Sequence, residues 1–277
     1  MQTRNFKAVC LFAVLFNLVA LNAWAVQGQW GAFVYLFPKS GAVIDDSAAL
    51  APIAEKISQA SSGFSNDFTP QKGKTDTAQF IRITDYLLNG NPVLDKPTGL
   101  IRVESTDRKV LDEYVETLAR AVKGYFRLET RFAVTRQLNY TDAETLKRLK
   151  DNAPKRGNGT DQPNAVVFPL SKTKAWWALT QEKRQNFFLG HNAVGFQHIK
   201  RIFRKLYHSR FVDQGQDFMT YFEYADADAD KFDALLSGLR DKTLNPEWSY
   251  VEEKPIVYGK RTATPAEMLK PKSSSEM

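Results

Sequence analysis

Cysteine is almost missing from this chain: the one thiol in 277 residues is Cys10, inside an apolar N-terminal stretch. Without that stretch the chain can form no disulfide and offers no thiolate to a metal or a substrate. Missing too are a glycine-rich phosphate loop, a nucleophile elbow and a zinc-type pair of histidines at i and i+4, since His191 and His198 stand seven apart. No hydrophobic run is long enough to span a bilayer comfortably; the longest covers 8–20. Arg4 and Lys7 precede that run and Ala23-Trp24-Ala25 follows it. Residues 1–25 therefore read as an export signal, cleaved after Ala25, which sends the mature chain to a bacterial periplasm with no membrane attachment. Nor is there a basic stripe: the net charge of +7 is spread along the chain. That argues against a nucleic-acid partner and suits a small anionic ligand.

What is present is a sizeable apolar fraction, 43% of residues, arranged with two periods. Strand-like alternation covers 30–37, 78–87, 99–105 and 125–134, with helical spacing at 47–60 and 107–122 between them. The second half repeats the order: strands at 165–170, 203–208, 217–224 and 248–258, a helix beginning near Thr180, and another at 230–240. Each half reads β-α-β-β-α-β, so the expected fold is α+β, two ferredoxin-like units in one chain. The polar stretch 141–163 is expected to be a linker between an N-terminal domain, 26–140, and a C-terminal domain, 164–260. A second polar stretch, 61–77, reads as a loop, and 261–277 is expected to be a flexible tail.

The densest chemistry lies between Trp176 and His208, which holds two adjacent indoles and all three histidines. Thr180 can cap a helix whose apolar face carries Phe187, Phe188, His191, Val194, His198 and Ile202. A histidine on such a face is more often a hydrogen-bonded core residue than a ligand, and the spacing leaves both roles open. On composition alone, large indoles such as Trp176, Trp177 and Trp248 are more often ordinary core residues.

The order Trp176-Trp177, His191, Arg204-Lys-Leu-Tyr-His-Ser209, Asp217-Phe-Met-Thr-Tyr-Phe-Glu223 and Trp248 resembles the haem domain of the chlorite dismutase family, in its periplasmic long-chain form. The resemblance implies a dimeric α+β barrel within one chain and a haem b cofactor. It implies an enzyme that converts chlorite to chloride and dioxygen and assembles as a homopentamer. His191 then falls at the proximal iron ligand and Arg204 at the distal side, where a permanently charged guanidinium retains the oxyanion. Trp176, Trp177 and Trp248 match the tryptophans lining or supporting the pocket. Lys172 matches a propionate-binding lysine, the pair Asn139-Tyr140 a further pocket element, and Leu206, Thr220 and Phe222 the distal wall. At the position expected for the carboxylate behind the proximal histidine, seven residues before Trp248, stands Asp241, one methylene shorter than the usual glutamate. That shortening favours one alternative, a periplasmic haem carrier or sensor with the same fold and no efficient turnover. A coprohaem decarboxylase-like enzyme is the other, against which Arg204 and the export signal both argue.

Overall fold

The computed structural model describes residues 29–41, 47–68, 75–136, 161–198 and 200–270, together with Glu144, Lys147 and Asp151. The export segment, the pair Asn139-Tyr140 and nearly all of the linker lie outside the described residues.

Strand β1 (Trp30–Pro38) shows why the sheet has two working faces. Successive side chains point to opposite sides, so Ala32, Val34 and Leu36 enter one apolar cluster while Phe33, Tyr35 and Phe37 enter another. The first cluster is covered by α1 (Ser47–Ala60) and α2 (Arg108–Val122). In α2 the Asp107 side chain caps the Lys109 N–H, and Leu111, Tyr114, Leu118 and Val122 bury one helical stripe. The unit is completed by β2 (Thr77–Leu88), β3 (Asn91–Pro92), β4 (Gly99–Ser105) and β5 (Phe126–Val134).

The second unit runs through β6 (Asn164–Lys172), the short α3 (Lys174–Ala178), α4 (Gln181–Phe196), β7 (Phe203–His208) and β8 (Phe218–Tyr224). It continues with α5 (Ala229–Arg240), a 3-10 turn at Pro246–Tyr250, β9 (Val251–Glu253) and β10 (Ile256–Thr262). The strand expected at 248–258 is thus broken into a turn and two strands. The histidine helix stops at Phe196, where the Gln197 N–H folds back to the Val194 and Gly195 carbonyls, leaving His198 and Ile202 beyond its end.

The strand order is β10-β2-β4-β1-β5-β7-β8-β6, and β6 pairs again with β10. The sheet closes on itself, which removes its edges. The chain is an α+β barrel of two ferredoxin-like units, as its sequence pattern suggests. The units meet at two seams, β10 with β2 along seven paired positions and β5 with β7 at the single pair Val134 and His208.

The expected flexible tail is a correction. Residues Arg261 and Thr262 complete β10, and α6 (Pro265–Leu269) follows, with Thr264 capping the Glu267 N–H. Met268 and Leu269 are fully buried in the first unit's helix-side core, because their apolar pair finds α1 and β4 beneath it. Only 271–277 lie outside the described residues.

Candidate active site

In the first unit the helices seal the outer sheet face. In the second, α5 packs on the sheet through Phe232, Leu235, Leu236 and Leu239, but a cavity of about 610 Å³ opens beside it, between the sheet and α4. That volume lies within the range of small-molecule and cofactor sites.

Strand alternation decides what the sheet contributes. On β7 Arg204, Leu206 and His208 face the cavity, whereas Tyr207 points into the barrel. Thr220 and Phe222 of β8 line the same wall, as do Phe168 and Leu170 of β6. From the helix layer come Phe188, His191 and Asn192 of α4, with Trp248 from the 3-10 turn. Trp177 lines the cavity and donates its indole N–H to Asp217 at 3.1 Å. Trp176, 2% exposed, packs against Phe187, Phe188 and Tyr250 with ring centroids 5.6–5.8 Å away. His198 also reaches the cavity; burial first and Lys231 second push its ring below the usual histidine range.

His191 is the polar focus of the helix wall. Its Nδ1 lies 2.9 Å from Oε2 of Glu247, whose other oxygen accepts from the Lys172 ammonium at 2.5 Å. Burial alone would raise the Glu247 carboxyl, but His191 and Lys172 outweigh it and hold it down at about 2. Glu247 is therefore an anion that fixes the imidazole, leaving the opposite ring nitrogen to act as a ligand.

Two expectations are corrected here. Asp241 is not the carboxylate behind His191: it ends α5, and its side chain accepts from the Thr243 and Leu244 N–H groups. The 3-10 turn brings Glu247 to the imidazole instead, and the sequence signal for it is its place directly before Trp248. Lys172 is not free for a propionate, because it is buried against Glu247 with its ammonium 4.4 Å from the Trp176 ring. Burial pushes that ammonium below the usual lysine range, with Glu247 and Asp217 opposing. Asn139 and Tyr140 lie outside the described residues.

Arg204 lines the sheet wall and is exposed to the cavity, and among the described residues it has no ion-pair partner. Residues that the sequence reading did not single out complete the rim: Arg136, Arg184 and Arg210, the last stacked 3.4 Å above the Trp177 ring. Altogether five cations and two carboxylates line the cavity. No group of three histidine, cysteine or carboxylate side chains that could hold a bare metal ion occurs among the described residues.

A closed α+β barrel in which a histidine braced by a buried carboxylate shares an aromatic-lined cavity with an arginine defines a small-ligand or cofactor site in one of two ferredoxin-like units. The chlorite dismutase family model matches residues 100–262, more than half of the chain. The chain belongs to that family. The chlorite dismutase of Ideonella dechloratans is 32% identical over 102 residues, which cover 36% of this chain and 35% of that one, so the match spans about a third of the curated relative. Among solved structures, chlorite dismutase from Candidatus Nitrospira defluvii in complex with imidazole aligns at 21% identity with a TM-score of 0.64. A mutant of that enzyme in complex with cyanide aligns at 19% identity with a TM-score of 0.67. Each alignment covers 88% of this chain and 94% of the other. At such identity the likeness establishes the fold.

Proposed function

We propose that the chain is a haem b enzyme that converts chlorite to chloride and dioxygen. The observation that carries this reading is the arrangement of His191, braced by Glu247, on the helix wall and unpaired Arg204 on the sheet wall of one cavity. The walls fit a flat apolar macrocycle: Phe168, Phe188, Phe222 and Trp248 supply aromatic surface, and cations stand at the rim for its acid groups. That structural relatives were captured with imidazole and with cyanide, both ligands of ferric iron, agrees with such an occupant.

The bound haem would supply the oxygen-atom transfer that no side chain here can perform. His191 would ligate the iron through the nitrogen that Glu247 leaves free, and Glu247, kept anionic by Lys172, would raise the basicity of the imidazole. Arg204 would hold chlorite by charge-assisted hydrogen bonds and keep the oxyanion fragment close until both oxygen atoms leave as dioxygen. Leu206, Thr220 and Phe222 would exclude water and stray reductants. A non-catalytic carrier drew its support from a shortened acceptor at Asp241, and with Glu247 beside His191 that argument falls away. Export to the periplasm and assembly as a homopentamer belong to the same proposal, checked by N-terminal sequencing of secreted protein and by light scattering.

The test is dioxygen release from chlorite by haem-reconstituted protein, residues 26–277, followed with an oxygen electrode. Wild type should give one dioxygen per chlorite. Arg204→Ala should keep its haem but lose roughly tenfold to a hundredfold in kcat/KM, the loss of a charged hydrogen bond. His191→Ala should lose turnover with its iron ligand. No dioxygen from haem-loaded wild type would refute the chlorite reading.

A further inference from the structure

Every cavity-lining residue but one belongs to the second unit; among the described residues, only Arg136 comes from the first. It follows two residues after Val134, whose pairing with His208 joins β5 to β7 at the narrow seam between the units. Arg136 and His208 are thereby brought to the same end of the cavity from opposite units.

His208 is an odd group to leave there. Its Nε2 is buried with no hydrogen-bond partner among the described residues, while the edge of Phe218 packs against the ring at 5.3 Å. A buried polar atom without a partner is costly, and a ligand, an ordered water or an ion offsets that cost. The two carboxylates that line the cavity cannot serve. Glu247 is engaged by Lys172 and His191, and Asp217 accepts from the Lys172 N–H and the Trp177 indole and stands 3.8 Å from Arg210. Burial, with Arg136 and Arg204 adding to it, holds the His208 ring neutral down to about 4, so the field at this end of the cavity is that of cations awaiting an anion.

We propose that Arg136 and His208 form a carboxylate-docking subsite across the seam, which takes an acid group of the cavity's occupant. The inference rests on the haem reading above, under which that group is one porphyrin propionate. A carboxylate there accepts from the Arg136 guanidinium and from the His208 ring N–H, and it partly cancels the field of Arg136 and Arg204 at the imidazole. The first unit then contributes directly to ligand binding as well as closing the barrel. A free oxyanion could satisfy the same two donors, and the experiment separates the sources.

Haem-free protein, residues 26–277, is titrated with haemin and with haemin dimethyl ester, whose propionates carry no charge, by Soret absorbance and tryptophan quenching. Wild type should bind the diacid about tenfold or more tighter than the ester, the scale of a charged hydrogen bond. Arg136→Gln and His208→Phe should each weaken the diacid by about tenfold and leave the ester within about twofold, with an unchanged Soret line shape from His191 ligation. His208→Gln, which keeps a donor, should recover most of the loss. Equal losses for diacid and ester, or losses that appear only when phosphate or chlorite is titrated instead, would overturn the subsite. Wild type that binds both porphyrins equally would overturn it and leave the haem reading standing, whereas wild type that binds neither would remove both.

Discussion

Glu247 holds the Lys172 ammonium and the His191 imidazole at once, and the consequences of losing it differ from those of losing Asp241. With Glu247→Gln, Lys172 is left buried without its counter-charge, a loss of the kind that costs about 3–5 kcal/mol. Asp241→Ala removes only side-chain bonds to two exposed N–H groups, worth about 1 kcal/mol. Urea unfolding of the two variants should show midpoints separated in that order; equal midpoints would contradict the assignment of Glu247 as the braced carboxylate. The count of seven residues back from Trp248 carried over a spacing that the resemblance implied, and it passed over Glu247. The irregular turn at Pro246–Tyr250 defeats such counting, because its geometry depends on Asn245 donating to the Leu239 carbonyl from a buried position.

At the scale of elements, the site depends on α4 lying close to the turn that carries Glu247. Gly190, one residue before His191, makes that approach possible: a Cβ there would stand 2.8 Å from the Leu244 carbonyl oxygen and 3.3 Å from Pro246. Helix propensity alone would favour Gly190→Ala by up to about 1 kcal/mol. The backbone contact reverses the sign. We expect the variant to unfold at lower temperature and, when loaded with haem, to shift its ferric-ferrous potential as the His191-Glu247 contact lengthens. A higher melting temperature with an unchanged potential would show that the approach is not limiting. The element itself was legible, since Thr180 caps it as its residue type suggests and accepts from the Lys183 N–H. Its end was not, for the apolar spacing continues through His198 while the backbone does not.

The barrel as a whole encloses a charged interior that no periodicity reveals. Arg102, fully buried, donates to Gln79 and Tyr207 at 2.7 Å and faces Glu104 at 3.2 Å, while Lys205 reaches Glu104 at 2.5 Å from β7. Burial would raise the Glu104 carboxyl, but Arg102, Lys205 and the Tyr207 hydroxyl hold it at about 2. Its folded value is depressed from 4.5, so its contribution to stability is complete above 4.5 and is lost as pH falls towards 2, an amount of about 3 kcal/mol. Acid titration of urea stability should therefore steepen between these values, and Glu104→Gln should flatten that limb and lower stability throughout. Barrel closure makes a sharper demand at Gly259, where β10 shifts register on β2 and an added Cβ would lie 2.5 Å from the Arg82 carbonyl oxygen. Gly259→Val should lose the closed sheet, seen as loss of amide protection in β10 and β6 together; protection retained in both would refute this.

Strand alternation, helix spacing and turn residues act over a few positions, and so the sequence by itself determined two β-α-β-β-α-β units, the cap at Thr180, and that Arg204, Leu206 and His208 share one face of β7. Contacts between distant segments obey no such local rule. Tertiary structure alone decided that β10 closes the barrel on both β2 and β6, that Met268 and Leu269 bury the segment expected to fray, and that Glu247 braces His191. It also brought Arg136 to His208 across the seam, because which side chains of distant strands meet depends on how the whole sheet twists shut.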